Sequence, residues 1–193
     1  MKRRVGVILA AMLATGCGYN NIQTYDEQAA AAQGQIETQL QRRADLIPNL
    51  VSTVKGYAQH EEQIFTAVAD ARSRLLGAKQ SGDPTAMANA DAQMTGALGR
   101  LLAISENYPQ LKADANFRQL QDELTGTENR IAVARTDYND AARQYNTYIR
   151  QFPTALTAKV TGAKPRKYFE VTDPAMRSGP PSVDFSKPAT PAP

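Results

Sequence analysis

The chain has 193 residues, with 22 Lys and Arg against 19 Asp and Glu, one His, one Cys and no Trp. That length suits one domain of ordinary size. A single Cys excludes an intramolecular disulfide and a Cys-based zinc site, and a single His excludes a multi-His metal centre. Hydrophobic residues make up 42% of the chain but aromatics only 7%, and the abundance of Ala favours helices; with those metal centres excluded, what remains is a helical, cofactor-poor protein.

The N-terminus has the layout of a secretory signal. Lys2, Arg3 and Arg4 form a basic patch, Val5 to Leu13 is an apolar run, and Ala14-Thr15-Gly16-Cys17 closes it with small residues. The run is well short of the roughly 20 residues that span a bilayer as a helix. Ala14-Thr15-Gly16-Cys17 resembles a lipobox, with cleavage between Gly16 and Cys17 and acyl chains such as palmitate on the Cys17 thiol. The usual lipobox has Leu three residues before the Cys; here Ala14 holds that place and Leu13 stands one step further back. The other reading is an ordinary exported or uncleaved signal with an incidental Cys. Removing residues 1–16 takes away three basic residues and leaves 19 basic against 19 acidic. A neutral mature domain has no electrostatic footprint for nucleic acid.

From Ile22 onward the chain reads as helices. Ile22, Tyr25, Ala29, Ala32, Ile36, Leu40, Ala44, Ile47, Val51, Val54 and Ala58 mark the first. Pro48 lies inside it, so the carbonyl of Ala44 loses its helical partner and a kink is expected nearby. Ile64, Val68, Ala71, Leu75 and Ala78 mark a second helix, which ends at Ser81-Gly82-Asp83-Pro84. Met87, Ala90, Met94, Ala97, Leu101 and Ile104 mark a third, which ends near Asn107-Tyr108-Pro109. The last is a heptad stripe through Phe117, Leu120, Leu124, Thr127, Ile131, Ala134, Tyr138, Ala141, Tyr145, Tyr148 and Phe152, about 54 Å long and stopped by Pro153.

Short connections make successive helices antiparallel. The expected fold is therefore all-α: an antiparallel up-down four-helix bundle whose long first and last helices continue as a two-helix stalk toward the membrane. The expected organisation is a signal over 1–16, a helical domain over 17–170 and a Pro-rich disordered tail over 171–193. Residues 178–193 alone carry five of the eleven prolines.

Several segments of this body carry a recognisable pattern. Arg42-Arg43-Ala44-Asp45-Leu46-Ile47-Pro48-Asn49-Leu50-Val51 is followed by Val54-Lys55-Gly56-Tyr57-Ala58 and His60-Glu61. Then come Ala71-Arg72, Glu106-Asn107-Tyr108-Pro109, Thr127-Glu128-Asn129-Arg130-Ile131, Tyr138-Asn139, Tyr145-Asn146, Phe152-Pro153 and Tyr168-Phe169-Glu170. In order and spacing these resemble the LemA family, over roughly residues 20 to 170. The resemblance implies a bacterial membrane-associated helical bundle without an established reaction. Such proteins are usually held by an N-terminal transmembrane helix, for which the lipobox here would substitute a lipid anchor.

Candidate sites are few. His60, between Gln59 and Glu61-Glu62, lacks the nucleophile and orienting acid that general-base work requires, and it falls where a helix cap or surface role is ordinary. Arg42, Arg43, Asp45 and Asn49 near the proline, with Glu128, Asn129 and Arg130 in the last helix, form either a polar patch for a partner or an interhelical network that fixes register. Tyr138, Tyr145, Tyr148 and Phe152 read as packing residues or, where two helices leave rings exposed, as a protein or lipid contact. The chain has no phosphate-binding glycine loop, nucleophile elbow or zinc-binding helix motif.

The expected function is accordingly non-catalytic. The sequence describes a lipid-anchored interaction or assembly module of a bacterial envelope, without cofactor or metal, with a protein partner or a second copy and no nucleic acid. The alternative is an envelope sensor with a small molecule held between helices; an enzyme lacks its residues. Gly18 after Cys17, in place of the Asp linked to inner-membrane retention, favours the outer membrane in a cell with two membranes.

Overall fold

The computed structural model describes residues 2–172, with side chains from Gly18 onward. The side chains of the expected signal, the Cys17 thiol and the tail from residue 173 lie outside the described residues. The described chain is all-α, with six helices: α1 (Lys2–Lys55), α2 (Glu62–Ser81), α3 (Pro84–Ile104), α4 (Pro109–Ala113), α5 (Ala115–Tyr148) and α6 (Thr154–Thr161). Among the described residues no helix is long and apolar enough to cross a membrane.

Four of these are the long helices expected from hydrophobic spacing; α4 and α6 are additional. The last long helix also ends four residues earlier than its stripe suggests. Ile149 closes it in a turn, and Pro153 instead begins α6 as its N-cap. Phe152 therefore leaves the core stripe and points into solvent.

Local chemistry sets the helix ends. Gly82, at φ 65°, supplies the left-handed residue that terminates α2. Asp83 then caps α3, accepting the Thr85 N–H at 3.0 Å, with Pro84 in the first turn, where no N–H is needed. Asp114 caps α5 by accepting the Phe117 N–H at 2.9 Å. Its other oxygen accepts the Tyr57 hydroxyl at 2.9 Å, which ties the end of α1 to the start of α5.

The contacts fix the helix directions. Along α1, Gln33, Gln41 and Ala44 meet Gly82, Lys79 and Arg72 in turn, so α1 and α2 run antiparallel. Asn21 meets Tyr148, Arg42 meets Glu123 and Tyr57 meets Asp114, so α1 and α5 are antiparallel as well. The main core joins Ile36, Leu40, Ala44, Ile47, Leu50 and Val54 of α1 to apolar residues of α2, α3 and α5. A second, smaller cluster of Ile22, Tyr145, Ile149 and Ala158 lies near Gly18.

Pro48 sits inside α1, which continues past it to Lys55. The carbonyl of Ala44 that Pro48 leaves without a helical donor accepts Arg72 Nε at 2.8 Å. A buried backbone acceptor is thereby satisfied by a neighbouring helix, which lets the proline stay within α1.

Candidate functional site

Two polar constructions stand out against the apolar core. The first is centred on Arg43, whose side chain is 4% exposed. Its guanidinium lies 2.5 Å from Asp91 Oδ1 of α3 and 2.6 Å from Glu128 Oε2 of α5, and it donates to Thr95 Oγ1 at 3.0 Å. One cation from α1 thus meets two carboxylates from two other helices. Burial pushes the Asp91 carboxyl up from the ordinary carboxylate range. The nearby Arg43 charge pulls it down and the Glu128 charge adds to the rise. An arrangement of this kind specifies which turns of the three helices face one another.

Of the expected polar residues, the structure brings Arg43 and Glu128 together. Arg42 makes an exposed contact with Glu123 at 3.7 Å, and Asp45 is exposed and accepts from Gln41. Asn49 lies in an open groove with Leu46 and Leu120, and Asn129 and Arg130 line another with Gln35 and Val133. Asp91 and Thr95 complete the cluster without having been anticipated. Their signal is an Asp among the buried residues Met87, Ala88, Ala90 and Met94. His60 is exposed in the loop before α2. No group of three or more His, Cys, Asp or Glu among the described residues could hold a metal ion.

The second construction is a strap formed by residues 163–172, which runs back along the bundle after Gly162 ends α6 at φ 74°. Three Asn side chains bind it at every third residue. Asn146 accepts the Arg166 N–H at 2.8 Å and donates to its carbonyl at 2.9 Å. Asn139 accepts the Phe169 N–H at 2.8 Å and donates to its carbonyl at 3.2 Å. Asn89 accepts the Thr172 N–H at 2.9 Å and donates to its hydroxyl at 3.1 Å. Asn146 and Asn139 each use one amide N–H and the amide oxygen to pair both backbone groups of a strap residue, as a neighbouring strand would. Ion pairs from Arg166 to Asp26 and from Lys167 to Asp83, at 2.8 and 2.6 Å, fasten it further. Phe169 is buried in the main core.

The strap and α6 change the setting of the four aromatics. Tyr138 and Tyr145 are buried, with the Tyr138 hydroxyl donating to the Lys167 carbonyl at 2.7 Å. Tyr148 is half-buried, accepts from Asn21 and packs its ring 5.0 Å from that of Tyr25. Phe152 is exposed. The two-helix stalk of the sequence reading is therefore a three-element structure, because the chain after Pro153 returns to cover the rings. The repeated Tyr-Asn pairs at 138–139 and 145–146 signal this: each places a buried ring beside an amide that grips the strap.

The fold is that of an all-helical protein whose internal polar groups hold helices to one another. The LemA family profile matches residues 32–185, and the chain belongs to the LemA family. It is 32% identical to the magnetosome protein MamQ 2 of Paramagnetospirillum magneticum over 177 residues, covering 79% of this chain and 64% of the relative. It is 31% identical to the magnetosome protein MamQ of Magnetospirillum gryphiswaldense, covering 78% and 64%. With the protein LemA of Metamycoplasma hominis it shares 24% identity, covering 72% and 63%. The chain thus spans slightly under two thirds of the length of these relatives.

Proposed function

We propose that this protein is a non-catalytic, membrane-associated module of the bacterial envelope, attached through lipidated Cys17 and joining envelope components through its helical surface. The observation that carries the reading is where the chemistry is spent. Arg43, Asp91, Glu128 and the strap asparagines bind helix to helix or helix to strap, while exposed apolar side chains gather near Gly18. The magnetosome names of two relatives support a place at a membrane. The four long helices form the up-down bundle, with its stalk end at Gly18, and Tyr148 and Phe152 are the stalk aromatics left accessible for contact. In a cell with two membranes the outer one is the proposed location.

A ligand sensor is favoured less. Its site would be an enclosed cavity with convergent polar groups, whereas the two grooves between α1 and α5 are open to solvent. The test is fractionation of wild type and Cys17→Ser, with mass spectrometry of the mature N-terminus and cross-linking in isolated membranes. Acyl chains on wild-type Cys17 and release of the variant from membranes are expected. A wild-type N-terminus without acyl chains overturns the anchor, and the absence of any cross-linked species overturns the assembly role.

A further inference from the structure

Helix α6 is built inside out. A surface helix ordinarily turns its large apolar residues toward the core, but α6 buries Thr154, Thr157 and Ala158 and turns the larger residues to solvent. Leu156 and Val160, one turn apart in α6, are 59% and 88% exposed, and Phe152, two residues before the helix, is 84% exposed. The inward face packs on α1 at its Gly18 turn, where a Cβ on Gly18 would stand 3.6 Å from Thr157 Oγ1. Helix α6 therefore lies beside the turn of α1 that follows Cys17, with its outward stripe on the far side. Tyr19, next in the chain, is also exposed.

Along the chain on either side of this stripe the charge has one sign. Between Asp140 and Glu170 the chain has no acidic residue and six basic ones. Arg143, Arg166 and Lys167 pair with Asp140, Asp26 and Asp83. Arg150, Lys159 and Lys164 make no ion pair among the described residues and are exposed. An apolar stripe flanked by unpaired cations, with tyrosine nearby, is the surface chemistry of a segment lying in a membrane interface that contains anionic lipid.

We infer that the outward face of α6 docks on an anionic bilayer, with Phe152, Leu156 and Val160 entering the boundary between headgroups and acyl chains and Arg150, Lys159 and Lys164 meeting lipid phosphates. This rests on the proposed attachment of the N-terminus and adds a second contact. One tether leaves the bundle free to swing; a tether with a docked α6 fixes its orientation to the surface.

The lack of Trp in the chain provides the test. Full-length Val160→Trp and Val133→Trp are reconstituted separately into vesicles of phosphatidylcholine and phosphatidylglycerol, with and without lipids brominated on the upper acyl chain. Both positions are exposed in the structure, and Val133 lies beside Gln35 and Gln39, about 25 Å or more along α1 from Gly18. For a face buried at this boundary, brominated lipid should lower emission from Val160→Trp about twofold and leave Val133→Trp unchanged. The quenching should weaken in vesicles of phosphatidylcholine alone. If the protein floats with the vesicles but Val160→Trp is not quenched, docking of α6 is overturned and the anchor survives. Failure to float overturns the anchor and the docking together. Blue-shifted Val160→Trp emission without lipid means that protein covers the face, a second copy if it varies with concentration and the chain's own residues if it does not; either overturns the inference.

Discussion

Arg72 of α2 donates its Nε proton to the carbonyl of Ala44, the acceptor that Pro48 deprives of its partner in α1. The two residues belong to different helices, so a local defect in α1 becomes a bond that positions α2. Arg72→Met should cost about 1–3 kcal/mol, the range for leaving a buried acceptor unsatisfied. In a Pro48→Ala background the restored N–H serves Ala44, and the same Arg72→Met change should cost clearly less. Denaturant unfolding of the four proteins in this cycle measures the coupling; equal costs in both backgrounds would show that Arg72 acts through packing alone.

At Asp91 the sign of the pH dependence can be worked out. Its carboxyl titrates above the ordinary range because burial disfavours the charge, against the attraction of Arg43. The folded protein therefore binds this proton more tightly than the unfolded chain. The contribution of Asp91 is greatest below the unfolded pKa and is lost as pH rises through the folded one. Asp91→Asn lacks this loss, so its stability relative to wild type should improve from acid to neutral pH. Urea unfolding of both proteins across that interval checks the slope, and a difference moving the other way would contradict the assignment.

Arg43 is a separate case. Arg43→Met removes the cation that both carboxylates contact and should cost about 3–5 kcal/mol, as breaking a buried ion pair such as Arg43–Asp91 does. Arg43→Met combined with Asp91→Leu and Glu128→Gln should recover much of that stability. Thermal unfolding of the single and triple variants tests this; a triple variant no more stable than the single one would mean that shape, not charge, dominates the site.

The strap should be separable from the bundle. Asn139→Ala with Asn146→Ala removes four hydrogen bonds to the strap backbone, each worth about 1 kcal/mol. Amide exchange at Phe169 should accelerate by an order of magnitude or more, while amides near Ile47 and Leu101 keep their protection. Uniform acceleration throughout would make the strap part of one cooperative unit with the core.

Asp83 links a helix cap to the same strap. The Lys167 ammonium holds its carboxyl below the ordinary range, against the opposing effect of burial, and the Thr85 N–H adds to that. Stability from this group is present above the unfolded pKa and is lost as pH falls through the depressed one. Asp83→Ser retains a cap for α3 and removes the pair with Lys167. Its helix content by circular dichroism should match wild type, while the protection factor of the Phe169 amide at neutral pH, which removes the intrinsic pH dependence of exchange, falls toward that of wild type in acid. Loss of helix content instead would assign the main effect to the cap.

Helical periodicity made much of this fold legible. The predicted core residues Met87, Ala90, Met94, Ala97, Leu101 and Ile104 are all buried in α3, and most of the stripe of α5 is buried too. Where a face is wide, spacing alone misplaced its centre: Phe65 is buried more deeply than Ile64. Elements held by side-chain amides were not legible, because asparagines on a helix carry no hydrophobic period, and α6 was missed because its apolar residues face outward. Arg43 and Glu128 were two of the seven polar residues expected near Pro48 and in the last helix, but that Asp91 would face them depended on the rotation of a third helix, which the spacing within α1 and α5 does not specify.

Because α1 and α5 are paired from Asn21–Tyr148 to Tyr57–Asp114, the molecule works as a ruler. From Gly18 to Lys55 the rise is about 57 Å at 1.5 Å per residue. That length is set by counting turns, since neither helix can shorten without breaking the ties at both ends. The loop from Gly56 to Glu61, with His60 exposed on it, is thus carried at a fixed height above Gly18. Inserting one heptad into each of α1 and α5 would raise it by about 10 Å while keeping the same residues face to face.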